Sequence, residues 1–105
     1  MAAAFCRAIN DWLAHDVLAC DPRLRASIVI PWQDVTLSVA EIERRTADPR
    51  FVQVLMLAQG EITRGRRHWW PSYVSAENHG LPIGIHAGSI YRHPPTPTGM
   101  PSSYL

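Results

Sequence analysis

A parallel α/β fold is what this 105-residue chain predicts, on three observations. Helix-like and strand-like patterns alternate along it. The strand patterns begin about 25–30 residues apart, the spacing that a crossover between parallel strands needs. The middle strand pattern, Phe51-Val52-Gln53-Val54-Leu55-Met56-Leu57, is almost continuously apolar, as a strand buried on both faces is. The length allows one domain at most.

Each element follows from local chemistry. Residues 4–20 read as an amphipathic helix, with Phe5, Ile9, Leu13 and Val17 recurring every four residues, Trp12 beside them, and Arg7, Asp11 and His15 opposite; Asp21-Pro22 stops it. Residues 26–31 form a short β-branched run closed by Pro31, a strand. A second helix covers 36–47, with Ser38 and Glu41 at capping-box spacing and Asp48-Pro49 as its end. The second strand is 51–57, followed by a polar loop from Ala58 to Arg67. A third helix covers 70–79: Pro71 suits the first helical position, Trp70, Tyr73 and Val74 share a face, His79 lies in the last turn, and Gly80 suits C′. The third strand, 82–86, starts at once. From Arg92 on, the run Pro94-Pro95-Thr96-Pro97 forbids regular structure, so residues 92–105 read as a Pro-rich irregular tail on one domain spanning 1–105.

Composition excludes several classes of function. Apolar residues at 47% and charged residues at 18% describe a globular chain, not a disordered one. A net charge of +1 offers no electrostatic case for nucleic acid or an acidic membrane. Cys6 and Cys20 fall on one helix more than three turns apart, too far to bridge, and read as free thiols of a reducing compartment. The opening residues have no signal-peptide pattern, and no apolar run is long enough to span a bilayer, so the expected location is cytoplasmic.

The candidate chemistry gathers near the strand ends. His86 closes the third strand, and parallel α/β sheets place their chemistry at strand C-termini. Alternation puts Pro82, Gly84 and His86 on one face and Ile83 and Ile85 on the other, where the isoleucines would pack under helices. Gly84 leaves room on the imidazole's face. Two readings of His86 stand together: a metal ligand, since neutral imidazole is the commonest one, or a core histidine bonded to a neighbouring carbonyl. His93, seven residues on, lacks local metal spacing and reads as solvated or substrate-facing. Arg64, Arg66 and Arg67 lie on the loop after the second strand, with Gln59 and Glu61, where an arginine could hold a substrate carboxylate bidentately; a solvated loop is the plain alternative. His15 and His79 read as helix-surface residues, and His68, beside Trp69-Trp70, as packing or capping. No nucleophile elbow or phosphate-binding glycine loop is present.

Four segments together carry a resemblance: Asn10-Asp11-Trp12; Asp21-Pro22-Arg23-Leu24-Arg25-Ala26-Ser27-Ile28-Val29-Ile30-Pro31; Asp48-Pro49-Arg50-Phe51-Val52-Gln53-Val54-Leu55; and His79-Gly80-Leu81-Pro82-Ile83-Gly84-Ile85-His86-Ala87-Gly88. In this order they resemble the metal-dependent amidohydrolase-related family that includes aminocarboxymuconate-semialdehyde decarboxylase and resorcylate-type decarboxylases. The resemblance implies part of a (β/α)8 TIM barrel, with the strands at 26–31, 51–57 and 82–86 as its third, fourth and fifth. It implies a divalent metal, often zinc, at the strand C-termini, and places His86 at the metal-ligand histidine after the fifth strand. The family's His-x-His of strand one has no counterpart in this chain, nor do the histidine after strand six and the aspartate after strand eight.

The resemblance also sets an expectation about activity. A barrel of this type takes about 250 residues, so the chain matches the middle third and reads as a fragment, a truncated reading frame or a decayed copy. A catalytic zinc site takes three protein ligands and an open position, so this chain alone is expected to bind no metal tightly and to be inactive. In the complete enzyme the reaction would be hydrolysis or decarboxylation of a small carboxylated or aromatic substrate. Exposed strand edges make self-association a further expectation. The alternative is a non-catalytic α/β binding module, or one subunit of a split barrel.

Overall fold

Three parallel strands stand side by side in chain order, β1 (Ala26–Val29), β2 (Phe51–Leu57) and β3 (Ile83–His86), as expected. The structure, a computed structural model, describes residues 1–58 and 64–87. Helix α1 (Ala2–Trp12) precedes β1 and continues into a π-helical turn, Leu13–Val17; α2 (Val35–Arg45) joins β1 to β2; a 3₁₀ turn, Arg67–Trp69, leads into α3 (Trp70–Asn78) before β3. The tail at 92–105, with His93, and the loop residues Gln59 and Glu61 lie outside the described residues.

Helices α2 and α3 pack on each other and on one face of the sheet. Ile28 and Ile30 from the first strand segment, Val54 and Met56 from β2, Ile42 from α2, and Trp69 and Ala76 around α3 form that core. A bulge sharpens it. Ala26 pairs with Phe51 but Ser27 with Gln53, so Val52 is the extra residue. The bulge re-aims Phe51, which joins Val54 on the helix side instead of following the alternation.

The first helix corrects the expected apolar face. Its buried stripe is Cys6, Asn10, Ala14 and Leu18, one position on from the run Phe5, Ile9, Leu13, Val17, and Phe5 and Trp12 are 67% and 56% exposed. The reason is polar: Asn10 is the residue that bonds the sheet, and its position sets which face turns inward. Four residues of α-helix advance about 400°, so a strict every-fourth stripe drifts by about 40° per step. The π-helical turn, in which Leu18 N–H donates to Leu13 O at 2.8 Å, winds more slowly and brings Leu18 back to the core.

Capping of α2 also differs from the expected box. Asp34 is the N-cap, accepting from Leu37 N–H at 2.9 Å. Ser38 lies one turn inside, donating from Oγ to Pro31 O and Asp34 O, and Glu41 is committed elsewhere. Trp69, in the 3₁₀ turn, is buried, and the inward face of α3 that follows it is Ser72, Ser75 and Ala76, while Trp70 and Val74 are half exposed. Small residues win that face because α2 approaches closely there. Pro71 sits in the first turn and Gly80 has φ +66° just past the helix, both as the sequence predicts.

The expectation that β2 is covered on both faces is met on one only among the described residues. Val54 and Met56 are buried under the helices; Leu55 and Leu57, on the opposite face, are half-buried. Ile85 departs in the same way. Ile83 packs on the core, but Ile85 is 65% exposed, because no helix among the described residues follows β3 to cover it. Both cysteines are free, Cys6 buried and Cys20 exposed. Among the described residues, no helix is long and apolar enough to cross a membrane.

Candidate functional site

The sheet face away from the helices carries Ser27 and Val29 from β1, Gln53, Leu55 and Leu57 from β2, and Gly84 and His86 from β3, placed there by register and alternation. They form layers along the strand direction. Near the strand starts, Gln53 Nε2 donates to Ser27 Oγ at 2.6 Å. Gly84 is needed beside that pair: an added Cβ would lie 2.8 Å from Gln53 Oε1. Above them come Val29 and Leu55, then Leu57 paired with His86 at the C-terminal end.

His86 is exposed, the last residue of β3, and its carbonyl accepts from Ala58 N–H at 2.7 Å. The backbone is therefore tied into the β2–β3 ladder while the imidazole stands on the open face at the strand end. The room that Gly84 provides on this face is filled by the Gln53 carboxamide.

Arg64 is placed at the same end but turned into the protein. Its Nε donates to Leu57 O at 3.0 Å, and its guanidinium lies over the Trp32 ring at 5.1 Å and the Trp69 ring at 4.5 Å. Tyr73 Oη donates to the Arg64 carbonyl at 2.6 Å. Burial lowers the Arg64 pKa from its ordinary value, partly opposed by Tyr73, and the two indole faces help keep the charge. Arg64 thus ties the segment after β1 and the end of β2 to the start of α3. Arg66 and Arg67 are exposed on the same connection, with Arg67 over the Trp70 ring at 5.3 Å. His68 is exposed and meets Trp69 edge-on at 4.9 Å; His15 and His79 are on helix surfaces. An apolar groove of about 260 Å³ opens between α1 and the strand ends, lined by Ala2, Phe5, Val29, Trp32 and Leu57 among others.

Beneath the helices lies a polar cluster that the sequence pattern does not reveal. Asn10 is fully buried, bonding Val29 at both its N–H and C=O and donating to Glu41 Oε1 at 2.7 Å. Glu41 accepts from Arg44 Nε at 2.8 Å and Nη2 at 2.6 Å; Asp11 accepts from Arg44 Nη1 at 2.8 Å and pairs with Arg45. The nearby Cys6 thiol is pushed up, first by burial and then by the Glu41 charge. The sequence signal that could have found this cluster is a polar residue at every-fourth spacing between Cys6 and Ala14.

Among the described residues a metal centre is not complete. Among the described residues, no three His, Cys, Asp or Glu side chains gather closely enough to hold an ion. His86 is the single candidate donor at the strand ends among the described residues, and His93 lies outside them.

Comparison with known proteins then bears on the fold. A search of curated proteins finds no match. The family model described as "Amidohydrolase" matches residues 1–104. The three parallel strands with both crossover helices on one side are the arrangement of a stretch of (β/α)8 barrel wall, and the match takes in all of them. The chain belongs to the amidohydrolase family.

Proposed function

We propose that these residues are the central wall of a metal-dependent amidohydrolase-type barrel, resembling the aminocarboxymuconate-semialdehyde decarboxylase branch. The enzyme would hydrolyse or decarboxylate a small carboxylated or aromatic compound. The observation that carries the reading is His86: an exposed imidazole ending the last of three consecutive parallel strands, on the face away from the helices. Amidohydrolases are generally metal-dependent, and a divalent metal, zinc by preference for such a ligand, needs partners for His86 from other barrel strands. The donors among the described residues do not suffice, so no reaction step is assigned to a metal.

The chain's own residues have definable tasks. Leu55, Leu57 and the groove beside Phe5 and Trp32 offer an apolar wall to an aromatic ring. Arg66 and Arg67, exposed on the connection that follows β2, would meet a substrate carboxylate at the same end as His86. Arg64 holds that connection in place.

The test is to graft residues 1–87 into an intact amidohydrolase barrel and compare it with its His86→Ala variant. Zinc content, turnover and melting temperature are read on one preparation. The expected result is loss of zinc and of turnover with the melting temperature held. An alanine variant that retains its zinc would remove His86 from the ligand set.

A further inference from the structure

The sheet face away from the helices is the one that a barrel turns inward, and on it the residues beneath His86 decide how far down a molecule can reach. Gly84 stands two residues earlier on the same face, about 6.6 Å down the strand. A side chain at that position would contribute to the packed interior of a barrel. Gly84 contributes none, so the space under the imidazole runs on toward the strand starts unless a neighbour fills it.

Gln53 fills it from β2. Its backbone lies lower, opposite Ser27, and its carboxamide reaches across to Gly84. Oε1, Cδ and Nε2 stand 2.8, 2.9 and 3.1 Å from where a Cβ on Gly84 would be. The other side of the head is pinned to β1, with Nε2 donating to Ser27 Oγ at 2.6 Å. A serine hydroxyl donates as well as accepts, so this anchor holds whichever way the amide is turned. The head thus bridges all three strands as a fixed bar. Around it the face is aliphatic, with Val29 and Leu55 near its level and Leu57 beside His86.

We propose that Gln53 is a specificity-determining residue that sets the depth of the substrate cavity beneath His86. The inference rests on the barrel reading above, in which Arg66 and Arg67 meet a substrate carboxylate at the His86 end. An aromatic carboxylate held there points its 4-position down the strands, and the Gln53 carboxamide is what that position meets. Because Gly84 has no side chain, shortening Gln53 lengthens the cavity directly. An alkyl group at the 4-position is rejected by size, and also because it would leave the exposed side of the amide unbonded.

Calorimetric titration with benzoate, 4-ethylbenzoate and 4-butylbenzoate tests this, on the zinc-loaded barrel that carries residues 1–87, unaltered and as Gln53→Ala and Gln53→Asn. In the unaltered barrel the affinity should fall by about tenfold or more from benzoate to 4-butylbenzoate. In Gln53→Ala that fall should vanish, with 4-butylbenzoate gaining about tenfold or more while benzoate itself changes little. Gln53→Asn, one methylene shorter, should admit the ethyl group and still reject the butyl. A general loosening of the fold would weaken all three ligands together and would not reorder them. Should the alanine variant fail to fold, the asparagine variant carries the test through the gain for 4-ethylbenzoate. The same fall with alkyl length in a folded variant would overturn the proposal and leave the barrel reading intact. An unaltered barrel that holds no zinc or binds no benzoate would overturn both.

Discussion

Replacing Gly84 by alanine should have opposite signs in two backgrounds. In the native chain the new Cβ would stand 2.8 Å from Gln53 Oε1, 2.9 Å from Cδ and 3.1 Å from Nε2. Backbone and sheet cannot yield cheaply there, so the Gln53 head must swing away. Its 2.6 Å bond to Ser27 Oγ is then lost, at about 0.5–1.5 kcal/mol for a net hydrogen bond. Against this, alanine restricts the unfolded chain, worth about 0.4–1 kcal/mol where the native backbone accepts it. Gly84 does not have positive φ, so it does accept it. The balance in the native chain is a destabilisation of roughly 0–1 kcal/mol. In a Gln53→Ala background neither the clash nor the bond exists, and the same substitution should stabilise by about 0.4–1 kcal/mol. The coupling is therefore about 1 kcal/mol, well within reach of a double-mutant cycle. Urea unfolding followed by circular dichroism, with one m-value fitted to all four proteins, measures it. If Gly84→Ala has the same effect in both backgrounds, to within about 0.3 kcal/mol, Gln53 is not what Gly84 makes room for, and the layered reading of the open face fails.

The core and the ion pairs give two further outcomes. Ile42 is fully buried where α2 meets the sheet, so Ile42→Ala should lower unfolding free energy by about 2–5 kcal/mol in the same urea assay, and a loss below about 1 kcal/mol would mean that α2 does not seal this core. Asp48 is held below the ordinary carboxylate range chiefly by its bonds to the Arg50 side chain, at 2.9 Å and 2.7 Å, with burial opposing. A depressed folded-state pKa stabilises above the unfolded value near 3.8 and is lost as pH falls from there through the folded value; melting temperature against pH should therefore decline over that range, and Asp48→Asn should flatten the decline, whereas an unchanged acid limb would place the titration elsewhere.

Legibility in the sequence is uneven from fold to site, and particular residues show why. The strand at 51–57 is legible to the residue because seven nearly unbroken apolar positions between Asp48-Pro49 and a polar loop have few other uses. His86 is legible as a strand-end imidazole because alternation from Ile83 settles its face. Arg64 is legible only as a loop arginine. Its position between Trp32 and Trp69 depends on partners over thirty residues apart in the chain, and no local pattern encodes that meeting. The same holds for Asn10. A polar residue within an amphipathic helix reads as solvent-facing until the strand edge that it bonds is known, and the whole inward face of α1 consequently reads one residue out of place.

Sequence by itself determined the element order, the parallel sense of the sheet, the helix stop at Gly80 and the family, since these rest on local periodicity, on turn chemistry and on the length of the crossovers. Tertiary structure alone decided which helix faces turn inward, that Asp34 and not Ser38 caps α2, that Gln53 occupies the space beside Gly84, and that Asn10 bonds Val29 and Glu41, with Arg44 on Glu41. The physical reason is that burying a polar group is tolerable only where its bonds are met. Those bonds come from partners distant in the chain, so the choice between core and surface for Asn10, Glu41 and Arg64 is made only when the strands and helices have come together.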